Sequence, residues 1–234
     1  MLLRILDLLY PRECEICQAR LTAPELDILC PGCDARVEWI EGRTCRRCGW
    51  GIADDAEDDR RCPECDGKEI AFKSAVAAGR YAGYVRELVQ RFKFRRQVHL
   101  ARPFGRRLAR RLRETAWLEG IDLLVPVPTP LGRILDRRYS AAEVMAMRLS
   151  SELEKPWARA LTLSGRARAS QTELSGAERL KNPVGAFKAR PKRVRDRLVL
   201  LVDDVLTTGA TANECTRVLR DAGAKQVYLA VIGR

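Results

Sequence analysis

An apolar run that ends in two acids and a threonine-rich turn constrains the fold of this chain more than any other segment. Residues 198–202 are all apolar, and Asp203 and Asp204 follow them directly. A run of this kind, polar only at its end, is typical of a strand buried on both faces of a parallel sheet. Residues with helical spacing follow the turn, so we predict an α/β fold with the turn at the carboxyl end of a central strand.

The turn carries the chemical groups that an anion needs. Three threonines offer hydroxyls, Gly209 lets the backbone approach a ligand closely, and the start of the next helix supplies free N–H groups. We therefore predict a phosphate site formed by Val205, Leu206, Thr207, Thr208, Gly209, Ala210 and Thr211.

The two acids before the turn suit a different part of a ligand. Asp203 and Asp204 would repel a phosphate, but they suit sugar hydroxyls or a bound cation. A phosphorylated ribose satisfies both halves of the motif at once. The alternative is an ordinary strand–turn–helix crossover with two acids at the surface.

Eight of the nine cysteines fall within the first 65 residues as four Cys-x-x-Cys pairs, separated by 12, 11 and 13 residues. Each pair presents two thiolates on one side of a tight turn, and two pairs complete a tetrahedral zinc site. We predict two structural zinc sites from Cys14, Cys17, Cys30, Cys33, Cys45, Cys48, Cys62 and Cys65. Loop length favours neighbouring pairs sharing a metal, and an interleaved arrangement is the alternative.

Disulfides and an iron–sulfur cluster are the alternatives to zinc. Arg4 and Asp7 interrupt the apolar first ten residues and no cleavage site follows, so we expect no secretory signal. No segment approaches the length of a membrane span, and we expect a cytoplasmic protein, where disulfides are disfavoured. A full shell of four cysteines leaves no open position, so the metal is expected to fold these residues and not to catalyse.

The length and the charge of the chain limit how it can be organised. Its 234 residues suffice for a small module, which we place at residues 1–69, and one α/β domain at residues 70–234. The net charge of +12 favours a polyanionic partner. Residues 86–113 contain eleven lysines and arginines against one acid, and they form either a solvated basic helix pair or a surface for nucleic acid or polyphosphate. His99 lies in this run, and we expect it to be structural.

A second group of basic residues follows another predicted strand. The apolar run that begins at Ile121 ends in Val-Pro-Val-Pro at 125–128, where the prolines cannot continue a ladder. Arg133, Arg137 and Arg138 come next, in a predicted loop before a helix over residues 140–152. Three arginines after a strand end indicate a second anion site.

Cys215 lies on the apolar face of the helix after the threonine turn, so we predict a buried packing residue there and not a nucleophile.

These segments together resemble a known family. The stretch from Asp203 to Thr211 is similar to the phosphoribosyl pyrophosphate (PRPP) signature of type I phosphoribosyltransferases, in the order Asp-Asp, Thr-Thr-Gly-x-Thr. The cysteine pairs, the Val-Pro-Val-Pro segment with its arginines, and the stretch over residues 166–187 narrow the resemblance to the ComF/GntX family. It covers nearly the entire chain.

The resemblance implies a fold and a role for several residues. The fold is that of a type I phosphoribosyltransferase, a central and mostly parallel sheet flanked by helices, preceded by a small double zinc ribbon. Asp203 and Asp204 would be the catalytic acids, holding the ribose hydroxyls or ligated water, and PRPP would bind with Mg²⁺. Arg133, Arg137 and Arg138 would hold pyrophosphate, and Arg166 and Gln171 would belong to a mobile segment that closes over the ligand.

Two functional hypotheses follow. In the first, the chain is a phosphoribosyltransferase whose role is linked to DNA uptake in natural transformation, with an acceptor that no residue identifies. In the second, it is a non-catalytic adaptor that binds PRPP or a nucleotide, single-stranded DNA, and proteins of DNA uptake or recombination. A polyanion partner is also favoured by the basic residues Lys188, Arg190, Lys192, Arg193, Arg195 and Arg197.

Overall fold

The computed structural model describes residues 12–21, 28–53, 62–164 and 184–234. The strands in this part of the chain are β1 (Ala75–Gly79), β2 (Leu123–Pro126), β3 (Leu161–Leu163), β4 (Phe187–Ala189), β5 (Leu198–Val205) and β6 (Gln226–Gly233). The helices are α1 (Pro31–Asp34), α2 (Gly83–Phe94), α3 (Ala101–Arg113), α4 (Leu131–Arg137), α5 (Ala141–Leu153), α6 (Pro191–Val194) and α7 (Ala210–Asp221), with a 3-10 turn at Val98–Leu100.

The main sheet is parallel throughout and has the strand order β1-β6-β5-β2. The predicted central strand is β5, which pairs with β6 on one side and with β2 on the other. Pro126 pairs with Val202, so the carboxyl ends of β2 and β5 lie at the same edge of the sheet. This edge receives both segments in which the sequence predicts anion-binding residues.

Helices cover both faces of the sheet, which explains why β5 is apolar without alternation. Val199 and Leu201 pack with Cys215 of α7 on one face. Leu200 and Val202 pack on the opposite face, in the core formed with α2, α3 and α5. All four β5 side chains are fully buried, as expected for a parallel strand between two helical layers.

Strands β3 and β4 form a separate antiparallel pair beside the main sheet. The chain between them includes residues 165–183, so the predicted closing residues Arg166 and Gln171 lie outside the described residues. The basic residues of the 188–197 region lie on β4, on α6 and next to them, and their side chains are exposed. Their exposure leaves this cluster open to a partner.

The cysteine-rich module lies against the free edge of β1. Ile40 N donates to Ala78 O at 3.0 Å, and Arg80 N donates to Glu38 O at 2.8 Å. The Glu38 carboxylate also accepts from Tyr84 N at 3.2 Å and so caps the start of α2. An unpaired strand edge is a liability in solution, and the module covers this one.

The described residues contain no helix that is both long enough and apolar enough to cross a membrane.

Candidate functional site

The predicted phosphate site forms a loop between β5 and α7, and we call residues 206–211 the phosphate loop. Leu206 is buried and its N–H donates to Gly233 O at 2.9 Å, which fixes the start of the loop on the sheet. Gly209 has φ +83°, a left-handed conformation that disfavours other residues, and α7 begins at the next residue. Thr207 and Thr208 are exposed, so their hydroxyls are accessible beside a free helix N-terminus.

The two predicted acids, Asp203 and Asp204, lie at the carboxyl end of β5, and Val205 separates them from the phosphate loop. Asp203 Oδ1 accepts from Asp204 N at 2.8 Å. Asp204 Oδ1 lies 2.7 Å from Lys93 Nζ, and both side chains of this ion pair are largely buried, at 17% and 16% exposure. Lys93 comes from α2, more than a hundred residues earlier in the chain. Sequence reasoning missed it because it is one of eleven cations in a basic run, with no local signal that separates it from the others.

The environment of Asp203 changes its acidity. Burial, followed by the neighbouring charge of Asp204, raises the pKa of Asp203 to about 7, while the hydrogen bond from Asp204 N and the charge of Lys93 act in the opposite direction. Asp203 therefore gains or loses a proton close to neutral pH. A carboxyl group with this property is suited to a site whose charge changes when a cation or a sugar hydroxyl approaches.

A pH-dependent stability is the first expected consequence. In the unfolded chain Asp203 loses its proton near pH 3.8, whereas in the folded chain it keeps the proton up to about pH 7. The unfolded state therefore binds fewer protons between these values, and the free energy of unfolding falls as the pH rises through this window. In Asp203→Asn, which has no carboxyl group to titrate, the free energy of unfolding should fall less between pH 5 and pH 8 than it does in the wild type. Urea unfolding of both proteins at pH 5 and pH 8 measures this difference. The control is Asp196→Asn at an exposed position, which should decline as the wild type does. An equal decline in wild type and Asp203→Asn would show that Asp203 does not keep its proton to near pH 7 in the folded protein.

The predicted pyrophosphate loop is a helix, so that part of the prediction was wrong. Residues 131–137 form α4 directly after Pro130, because the Pro-Thr-Pro segment cannot continue the strand and residues that favour helix, such as Leu131, Arg133 and Leu135, outnumber Gly132. Arg133 and Arg137 lie on α4, where their side chains are outside the described structure, and exposed Arg138 ends the helix with φ +66°. The helix still follows the carboxyl end of β2 and contacts α2, so the arginines remain near the edge of the sheet that carries the acids. Their binding role stays a prediction.

The eight cysteines of the module form two clusters of four, as predicted from neighbouring pairs. The first ribbon contains Cys14, Cys17, Cys30 and Cys33, and the second ribbon contains Cys45, Cys48, Cys62 and Cys65. Within each cluster the sulfur atoms lie within 4.8 Å of one another. Four thiolates converging in this way fit a tetrahedral structural zinc ion. The interleaved alternative is excluded by this arrangement.

The two ribbons repeat the same local geometry. In the first, Gln18 N donates to Cys14 O at 2.8 Å with φ +60°, and in the second, Gly49 N donates to Cys45 O at 2.9 Å with φ +72°. Both turns continue into a short antiparallel bridge, at Glu13 with Arg20 and at Thr44 with Gly51. All four cysteines of the second ribbon are buried, whereas the first ribbon leaves Cys17 exposed.

Part of the basic run has a role that neither sequence hypothesis included. Arg107 on α3 donates to both carboxylate oxygens of Asp34 at 2.6 Å, and its guanidinium lies 4.1 Å from the centre of the Trp39 ring. Arg91 pairs with Glu15 at 3.7 Å, and His99 Nε2 lies 2.6 Å from the same carboxylate. These side chains bind the first ribbon to α2 and α3, so the basic residues of the run are not all available to a polyanion. His99 is in a structural contact, and Cys215 is fully buried in the core, as predicted.

Comparison with known proteins agrees with both parts of this architecture. The double zinc ribbon domain matches residues 5–66, and the phosphoribosyl transferase domain matches residues 139–233. Competence protein F of Haemophilus influenzae is 30% identical over 206 residues, which are 86% of this chain and 88% of the relative. The chain belongs to the ComF family.

Other ComF relatives match over similar lengths. The DNA utilization protein YhgH of Escherichia coli K12 is 28% identical over 95% of this chain and 96% of its own. Competence protein ComFC of Streptococcus pneumoniae R6 is 28% identical over 85% of this chain and 84% of its own. This chain thus combines a double zinc ribbon with a type I phosphoribosyltransferase fold.

Among solved structures, a Bacillus subtilis glutamine PRPP amidotransferase complexed with ADP and GMP has 21% identity and a TM-score of 0.40, over 56% of this chain and 25% of that one. A purine phosphoribosyltransferase from Pyrococcus horikoshii has 21% identity and a TM-score of 0.35, over 55% of this chain and 68% of that one.

Proposed function

We propose that this protein binds PRPP with Mg²⁺ at the carboxyl edge of its sheet. The observation that supports the proposal most directly is the phosphate loop, which places two exposed threonines and a left-handed glycine at the free N-terminus of a twelve-residue helix. The acid pair immediately before it supplies the complementary part of the site for a ribose. Together they match a 5-phosphorylated sugar better than a free phosphate.

The proposal assigns a role to each group in the site. Thr207, Thr208, Gly209, Ala210 and Thr211 would bind the 5-phosphate, with Val205 and Leu206 holding the loop on the sheet. Asp203 and Asp204 would hold the ribose hydroxyls or a water bound to Mg²⁺, because carboxylates suit both. When bound with PRPP, Mg²⁺ supplies charge neutralisation on the pyrophosphate, a role shared with arginines of the α4 segment such as Arg133, Arg137 and Arg138. Arg166 and Gln171 would close over the ligand.

The names of the relatives support a role linked to DNA. Competence protein F and the DNA utilization protein YhgH are similar to this chain over most of its length. We extend that link to this protein and place its work in the cytoplasm, with the zinc module at residues 1–69 and the phosphoribosyltransferase-like domain at residues 70–234. Whether the domain transfers the phosphoribosyl group is a separate question from whether it binds one.

An adaptor that binds single-stranded DNA is the second candidate. The observation that favours it is the exposed basic cluster at residues 188–197, none of whose residues belongs to the acid pair or the phosphate loop. Six cations in a short exposed segment would release counterions from a phosphate backbone and bind it in a salt-dependent way. This activity does not require turnover of PRPP.

The test is a thermal-shift titration with PRPP–Mg²⁺, with inorganic phosphate and single-stranded DNA in parallel. A ligand that binds only the folded state raises the melting midpoint, and a concentration of about 100 times the Kd stabilises by about 2.7 kcal/mol. We expect a midpoint increase with PRPP–Mg²⁺ that is lost in Asp203→Ala/Asp204→Ala. No response of the wild type to PRPP–Mg²⁺ would reject the proposal. Pyrophosphate release with candidate acceptors then separates the enzyme from the adaptor.

A further inference from the structure

The side chain of Arg234 lies between the phosphate loop and the second ribbon. Nη1 donates to Leu206 O at 3.4 Å and to Thr207 O at 3.2 Å, and Nη2 donates to Glu64 O at 3.3 Å. The residue is only 7% exposed. A guanidinium can donate in several fixed directions at once, so one side chain connects two carbonyls of the loop with one carbonyl of the ribbon.

The position of Glu64 links this contact to the zinc site. Glu64 lies between Cys62 and Cys65, inside a Cys-x-x-Cys turn of the second ribbon. Trp50 packs on the same four cysteines, and the Arg234 guanidinium lies 5.8 Å from the centre of its ring. A Cys-x-x-Cys turn of this kind takes its defined geometry from the metal that its thiolates hold. Zinc bound by the second ribbon would therefore hold in place the Glu64 carbonyl that accepts from Arg234.

A second contact connects the same ribbon to the helix that begins in the phosphate loop. Asn213, in the first turn of α7, donates from Nδ2 to Glu69 O at 2.7 Å and accepts at Oδ1 from Ala71 N at 3.0 Å. Asn213 is buried, and residues 69–71 join the second ribbon to the sheet. The start of the loop is thus connected to the second ribbon through Arg234, and the helix that follows the loop is hydrogen-bonded to the segment that leaves this ribbon.

The two ribbons differ in this respect. The side-chain contacts of the first ribbon with the α/β part include those of Arg91, His99 and Arg107, which lie on α2, in the turn after it and on α3. Within the described residues, the second ribbon is the only one of the two whose backbone accepts from a side chain that also donates to carbonyls of the phosphate loop.

We infer that the second ribbon positions the phosphate loop through Arg234, so that metal in the second ribbon and a phosphoribosyl ligand in the loop favour each other's binding. Arg234 is a positioning residue, since it donates to carbonyls of the loop and does not occupy the groups of the loop that would bind the ligand. Coupling between two sites is reciprocal, so the ligand must retain the metal as much as the metal improves ligand affinity. The inference rests on the proposed function for the identity of the ligand.

The test compares Arg234→Lys and Arg234→Leu with the matched pair Arg107→Lys and Arg107→Leu, which removes a contact of the first ribbon. The affinity for PRPP–Mg²⁺ is measured by calorimetry, with zinc content measured on the same samples. We expect about a tenfold loss of affinity in Arg234→Leu, within the usual range for coupled sites, and a partial recovery in Arg234→Lys. The Arg107 variants should bind as the wild type does.

Two further measurements keep the inference testable if Arg234→Leu folds poorly or if PRPP is not the ligand. In the wild type, PRPP–Mg²⁺ should slow the transfer of zinc to a chromogenic chelator for one of the two metals only. Without any ligand, hydrogen exchange of amides 206–211 should be faster in Arg234→Lys than in Arg107→Lys.

The outcomes distinguish the two proposals. Wild-type protein that binds no PRPP rejects the proposed function, while the ligand-free exchange still decides the inference. Wild-type binding with unchanged affinity and unchanged loop exchange in Arg234→Lys rejects the inference alone.

Discussion

Replacing Thr208 by aspartate is expected to abolish PRPP binding while the fold remains intact. Thr208 is exposed in the phosphate loop, and its Oγ1 accepts only a long bond of 3.4 Å from Ala210 N. Aspartate is close to threonine in size but adds a negative charge where a phosphate is proposed to bind. Repulsion between unit charges about 4 Å apart costs about 4 kcal/mol near a protein surface, and each 1.4 kcal/mol is tenfold in affinity. Calorimetry should therefore show a loss of at least about 100-fold.

Two variants separate the charge effect from other effects. Thr208→Val removes the hydroxyl and keeps the shape, so it should cost about 1 kcal/mol, the usual net value of a neutral hydrogen bond. Ser151→Asp adds the same charge at an exposed position of α5 and should not change the affinity. If Thr208→Asp bound PRPP as tightly as Thr208→Val, the loop would not be the phosphate site.

Features set by local patterns were predictable from the sequence. The apolar residues before Asp203 specify a strand buried on both faces, and that strand is β5 at the centre of the sheet. The cysteine spacing predicts two metal sites and favours neighbouring pairs, because a short connecting loop brings adjacent turns together, and the structure has these two clusters. In both cases the residues that determine the structure lie close together in the chain.

The missed residues all depend on contacts between distant parts of the chain. Arg234 reaches Glu64 across 170 positions, and Lys93 reaches Asp204 across more than a hundred. Nothing in the neighbouring sequence distinguishes either residue from other cations. For the same reason, neither prediction for the basic run holds for all of its residues. Arg107 is paired within the protein, whereas Arg110, one helical turn later, is exposed. A charge count cannot separate such residues; the contacts can.

The shared core changes what zinc removal should do to the molecule. Val37 and Leu29 of the module belong to the same buried cluster as Leu108 of α3 and Phe92 of α2. The module also covers the edge of β1. The metal is thus expected to stabilise the α/β part as well as the residues that bind it.

Cys65→Ser tests this for the second ribbon, where Cys65 is fully buried and Ile70 packs on both the cysteine cluster and the core around α7. Metal analysis should show zinc falling from about two ions per chain to about one. Loss of the second ribbon would expose apolar side chains that each contribute about 1.5–3 kcal/mol when buried. Because about 1 kcal/mol shifts the midpoint of a protein of this size by 2–4 °C, the melting midpoint should fall by about 10 °C in one cooperative transition.

Cys215→Ala is the matched control, since it removes a thiol that is equally buried but lies in the α7 core and outside both clusters. It should lower the midpoint modestly and retain both zinc ions. A second, unshifted transition of the α/β part in Cys65→Ser would show that the two parts fold independently. In that case the contacts of Arg234 and Asn213 with the second ribbon and the segment that leaves it would contribute little to stability, because losing this ribbon would leave the sheet as stable as before.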